Sequence, residues 1–133
     1  MPPEVVQAVE AAQDKKAEEL VVLDLRNISD VTDYFVICHG TSDRQVQTIS
    51  ESIEERLIRD LRVKPKSVEG RRVGEWILMD YIDFVVHVFV AGKREFYRLE
   101  RLWGDAPRLD PATLVADAAE PPGRASRPSM RRM

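Results

Sequence analysis

WILMDYIDFVVHVFVAGKREFYRLERLWGDAPRLD, residues 76–110, is the stretch whose reading decides the fold. It opens with a strand-like run at 76–80 and breaks at Tyr81, Ile82 and Asp83. The most apolar run of the chain follows, at residues 84–90. Two such runs with so short a break between them read as an antiparallel hairpin. In the second run Phe84, Val86, Val88 and Val90 point one way, and Val85, His87 and Phe89 the other, because strand side chains alternate. Both sets are mostly apolar, which places this strand in the middle of a sheet with cover on both faces. Gly92 breaks it. Phe96, Leu99, Leu102 and Trp103 then recur at helical spacing.

Upstream, Pro2 or Pro3 suits a first helical turn, where a missing N–H costs nothing. Val5, Ala8, Val9 and Ala12 predict a helix running to about Glu19. LVVLDL, residues 20–25, is β-branched and apolar and reads as a buried strand. Residues 27–33 are turn-rich, and YFVIC, residues 34–38, forms a second strand that Gly40 ends. Thr41 and Ser42 cap a helix. Ser42 and Gln45 fit the capping-box spacing, with Gln45 reaching back. Val46, Ile49, Ile53, Leu57 and Leu61 line one face of this helix, and Glu51, Glu54, Glu55, Arg56 and Arg59 fall largely on the other. Pro65 stops its continuation. A short strand is expected at residues 67–69. The fold class is therefore α/β: one small domain, residues 1–110, with a mixed β-sheet flanked by helices. From Asp105 the pattern fails. Residues 111–133, with Pro111, Pro121, Pro122 and Pro128 among Ala, Arg and Ser, are expected to form a disordered tail.

The chain has 133 residues, enough for one domain with a real core. Its 44% hydrophobic and 32% charged content describes a soluble globular protein without a membrane span. The first residues, MPPEVVQAVE, lack the pattern of a signal or transit peptide, so a cytoplasmic location is expected. A single cysteine, Cys38, rules out an intrachain disulfide and fits a reducing compartment. Charge is uneven. The last thirteen residues carry four arginines and no acid, so taking +4 from the total of −3 leaves −7 on residues 1–120. An acidic body disfavours nucleic acid as the main partner and favours a basic protein.

Candidate chemistry is thin. Gly40, Thr41 and Ser42 before a helix could hold an anion, and Asp80 with Asp83 could hold a divalent metal in a nucleotidyltransferase-like site. The spacing of a phosphate loop is missing, and caps and turns already explain these residues. Cys38 and His39 are strand neighbours and point to opposite faces, so they make a poor nucleophile–base pair. Cys38 reads as a small core residue and His87 as a satisfied core histidine. Two histidines without a ligand cluster make no zinc site. No catalytic residue, cofactor or metal site is assigned. Trp76, Tyr97 and Trp103 are of the types that dominate interface energetics, and spacing alone leaves open whether the tryptophans are core or contact surface.

The combination of DKKAEELVVLDL (14–25), SDVTDYFVICHGTSDRQV (29–46), VEG (68–70), WILMDYIDFVVHVF (76–89) and REFYRLERLWGDAP (94–107) resembles the ribosomal silencing factor, or Iojap-related, family. The resemblance implies a nucleotidyltransferase-like α/β fold without an established enzymatic role. It implies binding to the large ribosomal subunit through large-subunit ribosomal protein fourteen, which blocks small-subunit joining and represses translation when nutrients are short. Organellar relatives act in large-subunit assembly, and crystallised members often form dimers, which makes a homodimer an expectation for the free chain. By the same resemblance the contact surface falls on the hairpin and the last helix, at Trp76, Leu78, Asp80, Asp83, Tyr97, Glu100 and Trp103. Two departures stand out. Gln45 replaces a common histidine, and Ile82 replaces the glycine of the family's usual turn. Isoleucine does not readily take positive φ, so the turn differs in type or bears strain, with Ile82 as an apolar tip. The Arg-bearing tail lies outside the shared stretches, and any contact it makes with ribosomal RNA is expected to be weak.

Overall fold

The structure is a computed structural model that describes residues 2–93, 104 and 106–111. The described elements run α1 (Pro3–Asp14), β1 (Glu18–Asp24), β2 (Tyr34–Gly40), α2 (Asp43–Leu61), β3 (Ser67–Glu69), β4 (Trp76–Asp80), β5 (Phe84–Val90) and β6 (Arg108–Leu109). They build one sheet in the order β3-β4-β5-β2-β1-β6. β2 and β5 are parallel, in register from Tyr34–Phe84 to Gly40–Val90, and the other pairings are antiparallel. The mixed sheet and the central place of residues 84–90 are as the alternation predicts.

Both described helices lie on one face. There Val36, Cys38, Met79, Val86 and Val88 pack under Val5, Val9, Ile49, Ile53 and Leu57 in one buried cluster. Ala8, Ala11 and Ala12 are fully buried on α1, and such small side chains let α1 and α2 approach closely. Ser52 Oγ donates to Ala11 O at 3.2 Å, and Arg56 reaches Glu10 and Asp14 across the same seam. The opposite face holds a second cluster of Leu23, Leu25, Ile37, Phe89 and Ala106. At about 25 cal/mol per Å² of apolar surface, each fully buried Leu, Ile or Phe contributes roughly 1.5–3 kcal/mol before entropy is counted.

Four details differ from the sequence expectation, each for a local reason. α1 stops at Asp14, not near Glu19, because Lys16 turns left-handed with φ 62° and frees residues 18–24 for β1. α2 ends before Pro65: Arg62 adopts φ 58°, and the Val63 N–H folds back onto Leu57 O. β6 was not expected; it adds a two-residue edge to β1, with Asp24 N donating to Pro107 O at 2.9 Å. A two-residue strand after a proline carries no period to read. At the start of α2, Ser42 Oγ accepts from Gln45 N as the capping box requires, but Gln45 does not return to Ser42. Its Oε1 accepts from Thr41 N and Thr41 Oγ1, and its Nε2 donates to Lys15 O and Lys16 O. Gln45 thus ties the end of α1 to the start of α2.

The Asp80–Asp83 turn bears the strain its isoleucine implies. Asp83 N donates to Tyr81 O at 2.9 Å, an i to i+2 bond with Ile82 at its centre and φ at 74°. That is a γ-turn of the positive-φ kind, which is rare and strained. For a β-branched residue the conformation costs on the order of 1–3 kcal/mol. Asp80 Oδ1 supports it by accepting from Ile82 N at 2.8 Å.

Gln45→Ala is expected to destabilise the fold by about 1–2 kcal/mol, since it removes a donor and an acceptor that satisfy backbone groups on two elements. Urea denaturation checks this, with the midpoint falling and the slope unchanged.

Candidate functional site

The hairpin brings four of the seven sequence-selected residues together. On β4, Trp76, Leu78 and Asp80 alternate with the buried Ile77 and Met79. They therefore share the sheet face turned away from α1 and α2, along about 13 Å at roughly 3.3 Å per residue. All three are half-buried, and Asp83 stands exposed in the turn that follows. Tyr97, Glu100 and Trp103 lie outside the described residues.

Trp76 is held from two sides. It pairs with Phe89 across the hairpin, the rings stacked with centroids 5.2 Å apart. Its indole N–H donates to His87 Nδ1 at 3.2 Å, a diagonal contact over one sheet step. His87 in turn meets the edge of Phe35 at 4.6 Å. Leu78 sits opposite His87 in register. The face is thus aromatic underneath and ends in carboxylates.

His87 is 4% exposed. A ring nitrogen that accepts a hydrogen bond carries no proton, so the proton of neutral His87 is on Nε2. Nε2 is buried and has no hydrogen-bond partner among the described residues. The sequence reading of a satisfied core histidine is therefore half right. An orphaned buried donor costs about 1–3 kcal/mol, which an apolar side chain of similar bulk would avoid. What histidine supplies here is an acceptor aimed at the Trp76 indole. Burial lowers its pKa to about 4. Sequence reasoning singled out Trp76 and missed this partner. The signal was present, since a hairpin joining 76–80 to 84–90 places residues 76 and 87 on one face.

The helix N-terminus at residues 40–42 is filled from within. Thr41 N is taken by the Gln45 side chain and Gln45 N by Ser42 Oγ. A side chain added at Gly40 would meet Gln45 atoms at 3.1–3.2 Å. Asp80 is committed to its turn. Among the described residues no three His, Cys, Asp or Glu side chains converge as a metal site would need. Cys38 is fully buried on the helix side of β2. What the arrangement offers is a half-buried aromatic and aliphatic row with an acidic end, which is the chemistry of a contact surface.

His87 has a pH consequence. Its folded pKa lies below the unfolded value of about 6.5, so between pH 4 and 6.5 the unfolded chain binds a proton that the native state does not. Its contribution is full above pH 6.5 and is lost as pH falls toward 4, by on the order of 3 kcal/mol. His87→Gln is expected to remove that slope. Urea titrations of both proteins at steps from pH 4 to 7 check it, and parallel stability curves contradict it.

Comparison with known proteins is consistent across sequence and structure. Residues 1–132 match the family described as ribosomal silencing factor during starvation. The chain is 47% identical over 103 residues to "Ribosomal silencing factor RsfS" of Bacillus subtilis, covering 77% of this chain and 86% of that one. It is 28% identical over 98 residues to the mouse protein named "Mitochondrial assembly of ribosomal large subunit protein 1", covering 71% of this chain and 42% of that one. A crystal structure of a Chromobacterium violaceum protein superposes with a TM-score of 0.73 at 32% identity, covering 78% of this chain and 88% of that one. The chain belongs to the ribosomal silencing factor family.

Proposed function

We propose that this chain silences translation by seating its hairpin face on the large ribosomal subunit, through large-subunit ribosomal protein fourteen. Bound there, it sterically blocks joining of the small subunit when nutrients are limiting. The observation that carries the reading is the row of Trp76, Leu78 and Asp80 on the face away from the helices, with Asp83 at its end. The indole is fixed before any partner arrives, which lowers the ordering cost of binding. The net −7 of residues 1–120 complements a basic ribosomal protein and speeds encounter. Tyr97, Glu100 and Trp103 complete the proposed surface, and residues 1–110 form the working unit. The role is non-enzymatic and cytoplasmic, with no cofactor. Among the described residues no helix is long and apolar enough to cross a membrane. The free protein forms homodimers, and the arginines of residues 111–133 add at most weak contact with ribosomal RNA.

A second reading is favoured by the name of the mouse relative: action during large-subunit assembly. It uses the same surface and differs in timing. The maturation state of large subunits that co-purify with the chain separates the two.

Sedimentation of purified subunits tests the proposal. The wild-type chain is expected to travel with the large subunit and to reduce joined particles. Trp76→Ala is expected to weaken that binding about tenfold or more, as truncation of an aromatic anchor does. Unaffected joining, with no chain on the large subunit, contradicts it. Titration with nucleoside triphosphate and magnesium is expected to give no heat; binding there would favour an enzyme.

A further inference from the structure

The two central parallel strands begin alike. Asp30-Val31-Thr32-Asp33 precedes Tyr34 of β2, and Asp80-Tyr81-Ile82-Asp83 precedes Phe84 of β5. Tyr34 and Phe84 are register partners, and Asp33 N donates to Asp83 O at 2.9 Å. The two segments therefore lie side by side at one end of the sheet. In each, one middle residue is buried, Thr32 or Tyr81, and the other is a β-branched apolar residue left in solvent. Val31 is 86% exposed and Ile82 61%. Ile28, 43% exposed, lies in the same loop as Val31. Asp30 and Asp83 are exposed beside them, and Asp80 is half-buried.

Among the described residues nothing requires isoleucine at position 82. The side chain is largely outside the core, and its φ of 74° is one that glycine takes freely. A strained backbone and an exposed apolar side chain at one residue point to a use outside the fold. We propose that Val31 and Ile82 form an apolar ridge within an acidic rim that enters a hollow on the same basic large-subunit protein, extending the contact of Trp76, Leu78 and Asp80. This inference rests on the reading of that face as the docking surface, and Asp80 joins the two: it lies in the Trp76 row and its Oδ1 holds Ile82 N.

Charge selects the occupant. Asp30, Asp33, Asp80 and Asp83 cluster at this end, against Lys66, whose N–H donates to Asp80 O. Arg26 is engaged by Asp24 at 2.7 Å. A second copy of this chain docked end to end would set like charges against each other, and a nucleic acid would bring phosphates to carboxylates. A basic protein surface meets neither penalty.

Ile82→Gly separates function from folding, because the two effects have opposite signs. The variant is expected to raise Tm by about 2–5 °C through relief of the positive φ, and to weaken large-subunit binding about five- to tenfold. Val31→Ser is expected to weaken binding with little change in Tm. Co-sedimentation across a range of subunit concentrations, with Trp76→Ala alongside, reads the affinities. Wild-type binding by both Ile82→Gly and Val31→Ser, with Trp76→Ala impaired, overturns the ridge and leaves the docking face standing. Failure of the wild-type chain to bind overturns both. If Ile82→Gly binds normally but loses self-association in sedimentation equilibrium, the ridge serves a second copy and the proposal is wrong.

Discussion

The parallel pairing of β2 with β5 is the constraint on which the rest of the structure depends. Its seven register pairs join strands that no tight turn could connect, since parallel neighbours need a crossover. The chain makes that crossover through α2, β3 and β4, and in doing so sets α2 against the sheet beside α1. Both strands are nearly continuous apolar runs because both of their faces are buried. Once β5 lies in the centre, β4 follows as its hairpin partner, and the alternation of β4 decides which residues face the helices. Ile77 and Met79 go inward; Trp76, Leu78 and Asp80 go to the other face. The proposed docking surface is thus a by-product of strand parity, and a one-residue slip in this hairpin would exchange the two sets.

Stability and use diverge at two points on that surface. His87 leaves a buried donor without a partner among the described residues while its other nitrogen accepts from Trp76. Ile82 holds a left-handed backbone and leaves its side chain in solvent. An apolar residue at the first position and glycine at the second would ease the fold. Each local cost sits within reach of the same hairpin. Elsewhere the chain shows the opposite economy: Gln45 and Gln47 each satisfy two backbone carbonyls with one amide.

Much of the fold was legible in the sequence because its strongest signals are periodic. The alternation at 84–90 gave the centre of the sheet, and the apolar stripe at 46–61 gave α2. What was not legible depends on single residues in unusual backbone states. Lys16 and Arg62 end helices in left-handed conformations that glycine would have announced and lysine or arginine does not. β6 is too short to have a period. At the candidate site, composition pointed to Trp76, Leu78, Asp80 and Asp83, and parity put the first three on one face. The link from Trp76 to His87 needed the pairing register, and the matched pair of Asp-x-x-Asp segments gained meaning only once β2 and β5 were neighbours. Tyr97, Glu100 and Trp103 lie outside the described residues.

The proposed docking places the large subunit on the hairpin face of the chain and not on its helices. Hydrogen exchange of the free protein and of its complex with purified large subunits tests this most directly. Protection is predicted over residues 76–83, extending to residues 28–33. Protection confined to α2, Asp43–Leu61, with the hairpin exchanging as in the free protein, would contradict the account.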